Sequence, residues 1–571
     1  MTSPQKHPGY FIYLFFVFLF SIQVVPRFWW DSLTNDEPSD ITNGYYYLTR
    51  GDVVTPHNHP PLAGALNALP LLFMDLKTLS FSGDVIDRGH FFIFNWNIDR
   101  LESVTAWARS VSWVLGCALG LLLFWVTREE PVLSAAVLFL WALNPTFTAL
   151  SGLAKTDIAP AFFFFLAVLL FRKSQEKASP KLWAAAGAVA AMAVTSKFYC
   201  LVLIPVFLAL EFLEPDKSFI LRKLGLKEFR SLVPKWLWGT GGFFLWIFFL
   251  YLPATLLLHD HREPFGYFID KFKEDIAFSH NPFPVYFLGT SGLQSHWYYL
   301  PVAFVLKEPL PFLLTLILGI GLIFRKRISL PPWQWLPPLV FSLALLPAPN
   351  LGVRYLLPAF PFLFLVAGQG AAWMWNKTGG KISINWKLGV IALLLFQAAS
   401  VAFNFPHPIS YFNELVAPDQ KIHFLGDSNL DWGQDLKRLA ATAKERKWAK
   451  VKLAYLGGVD PKVYGLDWEP WRKSDLAGPQ PGNVYAINAS FFQLAPTAYP
   501  PTRNIALSWI NEKPFSGKIG DSWYYFEVPG EPKFLKEDPS LVSAPFLQYR
   551  GYCPYWAIPP NQPMINIIPR K

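Results

Sequence analysis

Charge is what this sequence has little of: Asp, Glu, Lys and Arg make up 16% of 571 residues, against roughly 25% in soluble domains. That shortfall excludes an ordinary cytosolic enzyme and a disordered chain. Cysteine is nearly absent. Cys117 and Cys200 fall in apolar runs and Cys553 stands near the C-terminus, so no local pair suggests a disulfide scaffold or a thiolate metal knuckle. Internal repeats, heptads and low-complexity tracts are also missing, which excludes solenoids and coiled coils. The net charge of +10 lacks the clustering on a soluble face that nucleic-acid binding requires, because many of the bases fall in short loops between apolar runs. What is present is apolar: 53% hydrophobic residues, 17% aromatic residues and a mean hydropathy of +0.27. Such a chain belongs in a membrane. Its 50 prolines and 24 tryptophans point to broken helices and interfacial anchors beside the true spans.

Apolar runs at Phe11–Trp30, Val104–Thr127, Val132–Ser151, Ile158–Phe171, Leu182–Thr195 and Tyr199–Leu213 are followed by Trp236–Leu258, Pro309–Phe324, Trp333–Pro347, Leu356–Trp373 and Leu388–Phe405. They predict a polytopic α-helical membrane protein of about 11 transmembrane helices, with several runs short enough to need flanking residues. The first run has no clear small-residue cleavage site before Asp31 and reads as a retained span. Basic residues concentrate in alternate loops, such as Arg172 to Lys181, Lys217 to Lys235 and Arg325 to Arg327. The positive-inside rule then puts the N-terminus in the cytoplasm and the segments 31–103, 259–308 and everything after Phe405 outside.

The last segment differs in kind. Alternation in Val451–Leu456, Val484–Ile487 and Trp523–Val528 reads as strands, and Trp432–Lys447 as an amphipathic helix. The expected organisation is therefore a membrane domain over 1–405 and an extracytoplasmic α/β domain over 406–571.

Chemistry concentrates just after the first span. Asp36 and Glu37 are adjacent carboxylates where burial can raise a pKa and where a membrane-embedded substrate is within reach, which suits a general base. The alternative is that both are interfacial solvating charges, with Pro38 ending the helix. Lys155, Lys197 and Arg354 break the positive-inside trend, one in each short outside loop, and Lys307 sits just before a span. They can ring a phosphate, or snorkel to lipid headgroups. Asp157 precedes a span and reads either as an acidic site residue or as an N-cap. The pairs His57 with His59 and His259 with His261 leave a divalent metal open, although no thiol or fixed ligand spacing supports one. In the outer domain, Asp427, Asn429, Asp431 and Asp435 form the densest polar cluster, with Asp431 or a neighbour capping the helix near Trp432 as the structural alternative to acceptor binding.

Several blocks resemble a known family. Asp36-Glu37, the Gly44-Tyr-Tyr segment that includes Tyr46, and His59-Pro-Pro-Leu62 look like the first outside loop of GT-C glycosyltransferases of the protein O-mannosyltransferase type, which includes the aminoarabinose transferases. Tyr298–Pro311, Gly352–Pro358, Tyr411–Glu414 and Asp427–Leu436 resemble bacterial members dependent on a phospholipid carrier, and the blocks are in the family's order. The resemblance implies a GT-C fold and an enzyme that transfers a sugar, with inversion, from a polyprenyl-phosphate donor to a protein, lipid or glycan acceptor at the outer face of the bacterial inner membrane. It makes Asp36 the base with Glu37 beside it. Asp157 takes the place of a second acidic residue, and His59 and Tyr46 lie among the substrate-binding blocks. Donor phosphate then falls to Arg354, Lys307, Lys197 and Lys155. The partners are the lipid-linked sugar, its acceptor and membrane lipids, with no nucleic acid; no cofactor is specified, and a divalent metal stays open. A transporter or flippase of lipid-linked saccharides is the rival, but it usually carries paired repeats and mid-span ionisable residues, whereas the acids here cluster at the outer ends of spans.

Overall fold

Proline lacks the backbone N–H that a helix interior needs, and two prolines decide where apolar runs of this chain break. In the computed structural model, which describes residues 9–53, 59–78, 85–177, 179–213, 226–258, 262–280, 282–377, 382–471, 475, 478–498 and 514–530, Pro131–Ala142 and Pro145–Ser151 meet at 61°, and Tyr299–Lys307 and Leu310–Phe324 at 119°. Pro145 and Pro309 stand at these bends. At the first, the Asn144 side chain caps the new helix by accepting from the Phe147 N–H at 2.8 Å. At the second, Glu308 accepts from the Thr146 hydroxyl at 2.6 Å and from the Asn144 amide, so the polar groups exposed by one break satisfy those of the other.

Among the described residues, six helices are long and apolar enough to cross a membrane: Tyr10–Trp30, Ile98–Thr127, Ile158–Lys177, Val233–Leu257, Val353–Asn376 and Asn385–Asn404. Counting each bent pair as one span gives eight. The chain is a multi-pass membrane protein. All the apolar runs expected from sequence are helical, yet Pro180–Val194, Phe198–Leu213 and Pro332–Ala344 are too short to cross alone, since a span takes about 20 residues. That accounts for the difference from about 11 spans.

The chain forms two units. The first comprises Met1–Trp29, Glu37–Phe283 and Gln294–Lys421; the second comprises Trp30–Asp36, Pro284–Leu293 and Ile422–Lys571. Residues 406–421, placed in the outer domain by sequence, pack in the first unit, where the Asn413 amide donates to the carbonyls of Val305 and Glu308.

The first unit is helical, with interlocking aromatic rings such as Phe20 on Trp141, 4.6 Å between centroids, and Phe171 on Phe207, 4.2 Å. The helix Glu37–Arg50 crosses Pro61–Ala68 so closely that a methyl on Gly44 would lie 2.0 Å from the Gly64 carbonyl oxygen. Only glycine permits that approach.

The second unit is α/β. Strands β1 (Val285–Phe287) and β2 (Thr290–Gly292) form an antiparallel hairpin. The main sheet takes β3 (Val451–Ala454), β4 (Trp468–Pro470), β5 (Val484–Asn488), β6 (Gly517–Ile519) and β7 (Trp523–Glu527) in the order β4-β3-β5-β7-β6. Its first two pairings are parallel and its last two antiparallel, with Val451 opposite Val484 and Tyr485 opposite Phe526. The helix Leu436–Glu445 buries Leu436, Leu439, Ala440 and Ala443, the i, i+3, i+4, i+7 stripe of a helix against a core. It starts later than Trp432. Asp431 does not cap it: its carboxylate accepts from the Gly433 and Ser490 N–H groups, both at 3.0 Å, and from the Asn488 amide at 2.7 Å. Burial outweighs these donors and pushes the Asp431 carboxyl up to about 6.

Candidate functional site

The two adjacent acids have different fates. Glu37 opens the helix Glu37–Arg50 and is wholly buried. Arg109, from the helix Leu101–Thr127, grips it as a planar fork, Nε to Oε1 at 2.8 Å and a terminal nitrogen to Oε2 at 2.7 Å. The Ala154 N–H donates to Oε1 at 2.8 Å, and Arg109 also donates to the carbonyls of Arg27 and Phe28. With both oxygens engaged by these donors, the Glu37 carboxylate ties the end of the first span to the loop before Asp157. Asp36 is half-buried and belongs to the second unit.

A second buried cluster forms around Asp157. Lys197 lies 2.5 Å from one carboxylate oxygen and Arg354 3.7 Å from the other. Lys155, two residues away, pairs with Asp40. Burial alone would raise the Asp157 pKa, but Lys197, then Arg354 and Lys155, hold its carboxyl below the ordinary value. The Lys197 ammonium sits over the rings of Tyr199 and Tyr355, and Arg354 also covers Tyr355 at 5.1 Å. Lys155, Lys197 and Arg354 are 3%, 2% and 8% exposed, whereas anchoring to headgroups would require extended, exposed side chains. Asp157 spends its carboxylate on cations rather than on a cap.

Around Asp40 the polar lining continues into a cavity that includes Asn43, Asp52, His59, Arg88 and Lys271. Arg88 pairs there with Asp52 and Asn43. Tyr46 is buried with Arg50 and Arg88 over its ring at 4.7 and 4.9 Å. Lys307 goes elsewhere: its ammonium donates to the Ile409 carbonyl at 2.8 Å and sits over the Phe412 ring. The Tyr411–Glu414 block and Lys307 thus meet each other. Among the described residues no group of three or more His, Cys, Asp and Glu side chains is arranged around a metal. His57, His259 and His261 lie outside the described residues.

Residues 94–233 match the family model of dolichyl-phosphate-mannose-protein mannosyltransferase. That stretch contains Arg109, Lys155, Asp157 and Lys197, and the ordered sequence blocks on either side resemble the same type. Over that stretch the chain is similar to a family of membrane mannosyltransferases. Two solved structures are similar at low identity. ArnT from Cupriavidus metallidurans, bound to undecaprenyl phosphate, is 11% identical with a TM-score of 0.41 over 90% of this chain and 97% of its own. The oligosaccharyltransferase of Archaeoglobus fulgidus, tethered to an acceptor peptide, is 12% identical with a TM-score of 0.42 over 86% of this chain and 71% of its own. No curated protein matches the chain.

Sequence reasoning missed Arg109, Asp40 and Asp275. Arg109 falls within a run read simply as a span, although an arginine inside an apolar helix is itself a signal of a buried partner. Asp275 lies on the amphipathic helix Pro264–Ser279, where burial raises its carboxyl to about 6 against the pull of Lys197. Arg109→Met leaves the Glu37 carboxylate buried without its fork and is expected to cost about 3–5 kcal/mol. Unfolding in detergent measures this, and the double variant Glu37→Met/Arg109→Met should lose less than Arg109→Met alone.

Proposed function

We propose that the protein is an inverting glycosyltransferase that moves a sugar from a polyprenyl-phosphate donor to a protein, lipid or glycan acceptor at the outer face of the bacterial inner membrane, with its C-terminal domain in the periplasm. The observation that carries this reading is the buried group of Lys197, Arg354 and Lys155 about Asp157. Displacement at an anomeric carbon breaks the bond from C1 to the phosphate oxygen, and the lipid phosphate departs with one further negative charge. Buried cations stabilise that charge far more than solvated ones do. A single displacement also needs one base, and Asp36 takes the acceptor proton as the new bond to C1 forms. Glu37 is a positioning residue, because its oxygens are held by Arg109 and the Ala154 N–H. His59 and the cavity around Asp40 receive the sugar or acceptor hydroxyls.

Asp36→Asn keeps size and hydrogen bonding but removes the basic oxygen. It should still bind a radiolabelled polyprenyl-phosphate sugar in detergent while turnover falls roughly 10²- to 10⁴-fold. Wild-type turnover would remove Asp36 as the base, and equal losses of binding and turnover would make it a substrate ligand. A pH dependence follows from Asp275. Above about 6 its carboxylate is ionised and competes with donor phosphate for Lys197; below, it is protonated and neutral. The donor is a phosphodiester whose own charge does not change there, so donor affinity should rise by up to roughly tenfold as pH falls from 7 to 5. Equilibrium binding of the lipid-linked sugar reads this, and Asp275→Asn should flatten the profile.

A further inference from the structure

The segment that delivers Asp36 does not stand alone. Trp30–Asp36 folds as part of the second unit, and Asp31, Ser32, Leu33 and Asn35 are held by the Asp427–Leu436 block or by the helix and loops that follow. The Ser32 N–H donates to the Gln434 carbonyl at 2.9 Å, and the Asn35 N–H to the Trp432 carbonyl at 2.8 Å. In return, the Lys437 N–H donates to the Ser32 hydroxyl at 2.7 Å and the Gly458 N–H to the Asn35 side chain at 2.9 Å. The Leu33 N–H reaches the Tyr464 hydroxyl at 3.0 Å. Gly433 has a φ of +92°, and a methyl there would sit 2.7 Å from the Asn35 side-chain oxygen, so this turn tolerates only glycine.

One side chain joins this segment to the sheet. Arg438 donates from one terminal nitrogen to Asp31 at 2.7 Å and from the other to Asp435 at 2.6 Å. Asp435 in turn accepts from the Ser522 hydroxyl at 2.8 Å, on the turn between β6 and β7. Asp431 completes the frame by binding the end of β5 through Asn488 and Ser490. The acidic cluster is therefore occupied within the fold, with each carboxylate named here committed to a donor.

We infer that the Asp427–Leu436 block and Arg438 are positioning elements for Asp36: the α/β unit grips residues 31–35 and thereby fixes the backbone from which the Asp36 carboxylate projects. The inference rests on the reading of Asp36 as the base. It assigns the C-terminal domain a part in the chemical step. The contacts of Arg438 in the second unit are to Asp31, Asp435 and the Gln434 carbonyl, so its effect on turnover passes through residues 31–35. An error of about 1 Å in a reacting group costs up to roughly 10²-fold in rate.

The test uses the full chain in detergent with a radiolabelled polyprenyl-phosphate sugar and compares Arg438→Gln, Arg438→Lys, Asp36→Asn and the double variant Asp36→Asn/Arg438→Gln. Arg438→Gln should lower kcat by roughly 10- to 100-fold with an unchanged KM for the donor. Arg438→Lys, which keeps the charge but reaches only one acid at a time, should fall between. In the double variant the Arg438 change should add no further loss, because the group it positions is already gone. Unfolding curves normalise each rate to folded protein, so simple instability shows as a smaller active fraction with an unchanged kcat per folded molecule. A wild-type kcat for folded Arg438→Gln, or a loss that multiplies with that of Asp36→Asn, would overturn the inference. Full activity of Asp36→Asn by itself would instead remove the base assignment on which it rests.

Discussion

The fork between Arg109 and Glu37 is the interaction on which the first unit's polar architecture depends. Both side chains are fully buried, and removing two ions from water costs several kcal/mol per ion unless the geometry and the remaining hydrogen bonds repay it. Here they do. Glu37 accepts two bonds from Arg109 and one from the Ala154 N–H, while Arg109 also donates to two carbonyls at the end of the first span. One ion pair therefore fixes the exit of the first span, the start of the helix Glu37–Arg50 and the loop that carries Lys155 and Asp157. The buried pair of Lys155 with Asp40 ties the same loop to the same helix a second time.

The same accounting governs the cations. Lys155 faces Asp40, while Lys197 and Arg354 share Asp157. These pairings let positive charge persist in a low-dielectric interior before any substrate arrives. In the proposed reaction the donor phosphate exchanges for Asp157 at cations that are already desolvated, so part of the desolvation cost belongs to folding rather than to catalysis. The proline-bent helices serve a related purpose, since the groups freed at Asn144 and Glu308 satisfy one another instead of facing lipid.

Much of this was legible in the sequence because apolar periodicity is a local signal. Each apolar run became a helix, and the strands at Val451, Val484 and Trp523 begin where alternation puts them. Lys155, Lys197, Arg354 and Asp157 were recognisable as misplaced charge, and they do come together. What sequence could not supply was partnership across distance. Glu37 and Arg109 are 72 positions apart and Arg438 and Asp31 are 407 apart, and neither pair has a spacing rule. For the same reason the Asp427–Leu436 block read as a cap or an acceptor site rather than as a grip on residues 31–35. The hairpin β1–β2 was hidden because each of its strands is three residues long, too short to show alternation.

The central claim is that this protein breaks the bond between a sugar and its lipid phosphate. The most direct measurement is a single-turnover reaction of the purified protein in detergent with a polyprenyl-phosphate sugar of known anomeric configuration and a pool of envelope acceptors, followed by separation of the lipid products and assignment of the anomer formed. The account predicts stoichiometric release of free polyprenyl phosphate together with an inverted glycosidic bond in the acceptor. Recovery of the lipid-linked sugar intact, with the same protein in vesicles moving it from one leaflet to the other, would contradict the account and make the protein a transporter.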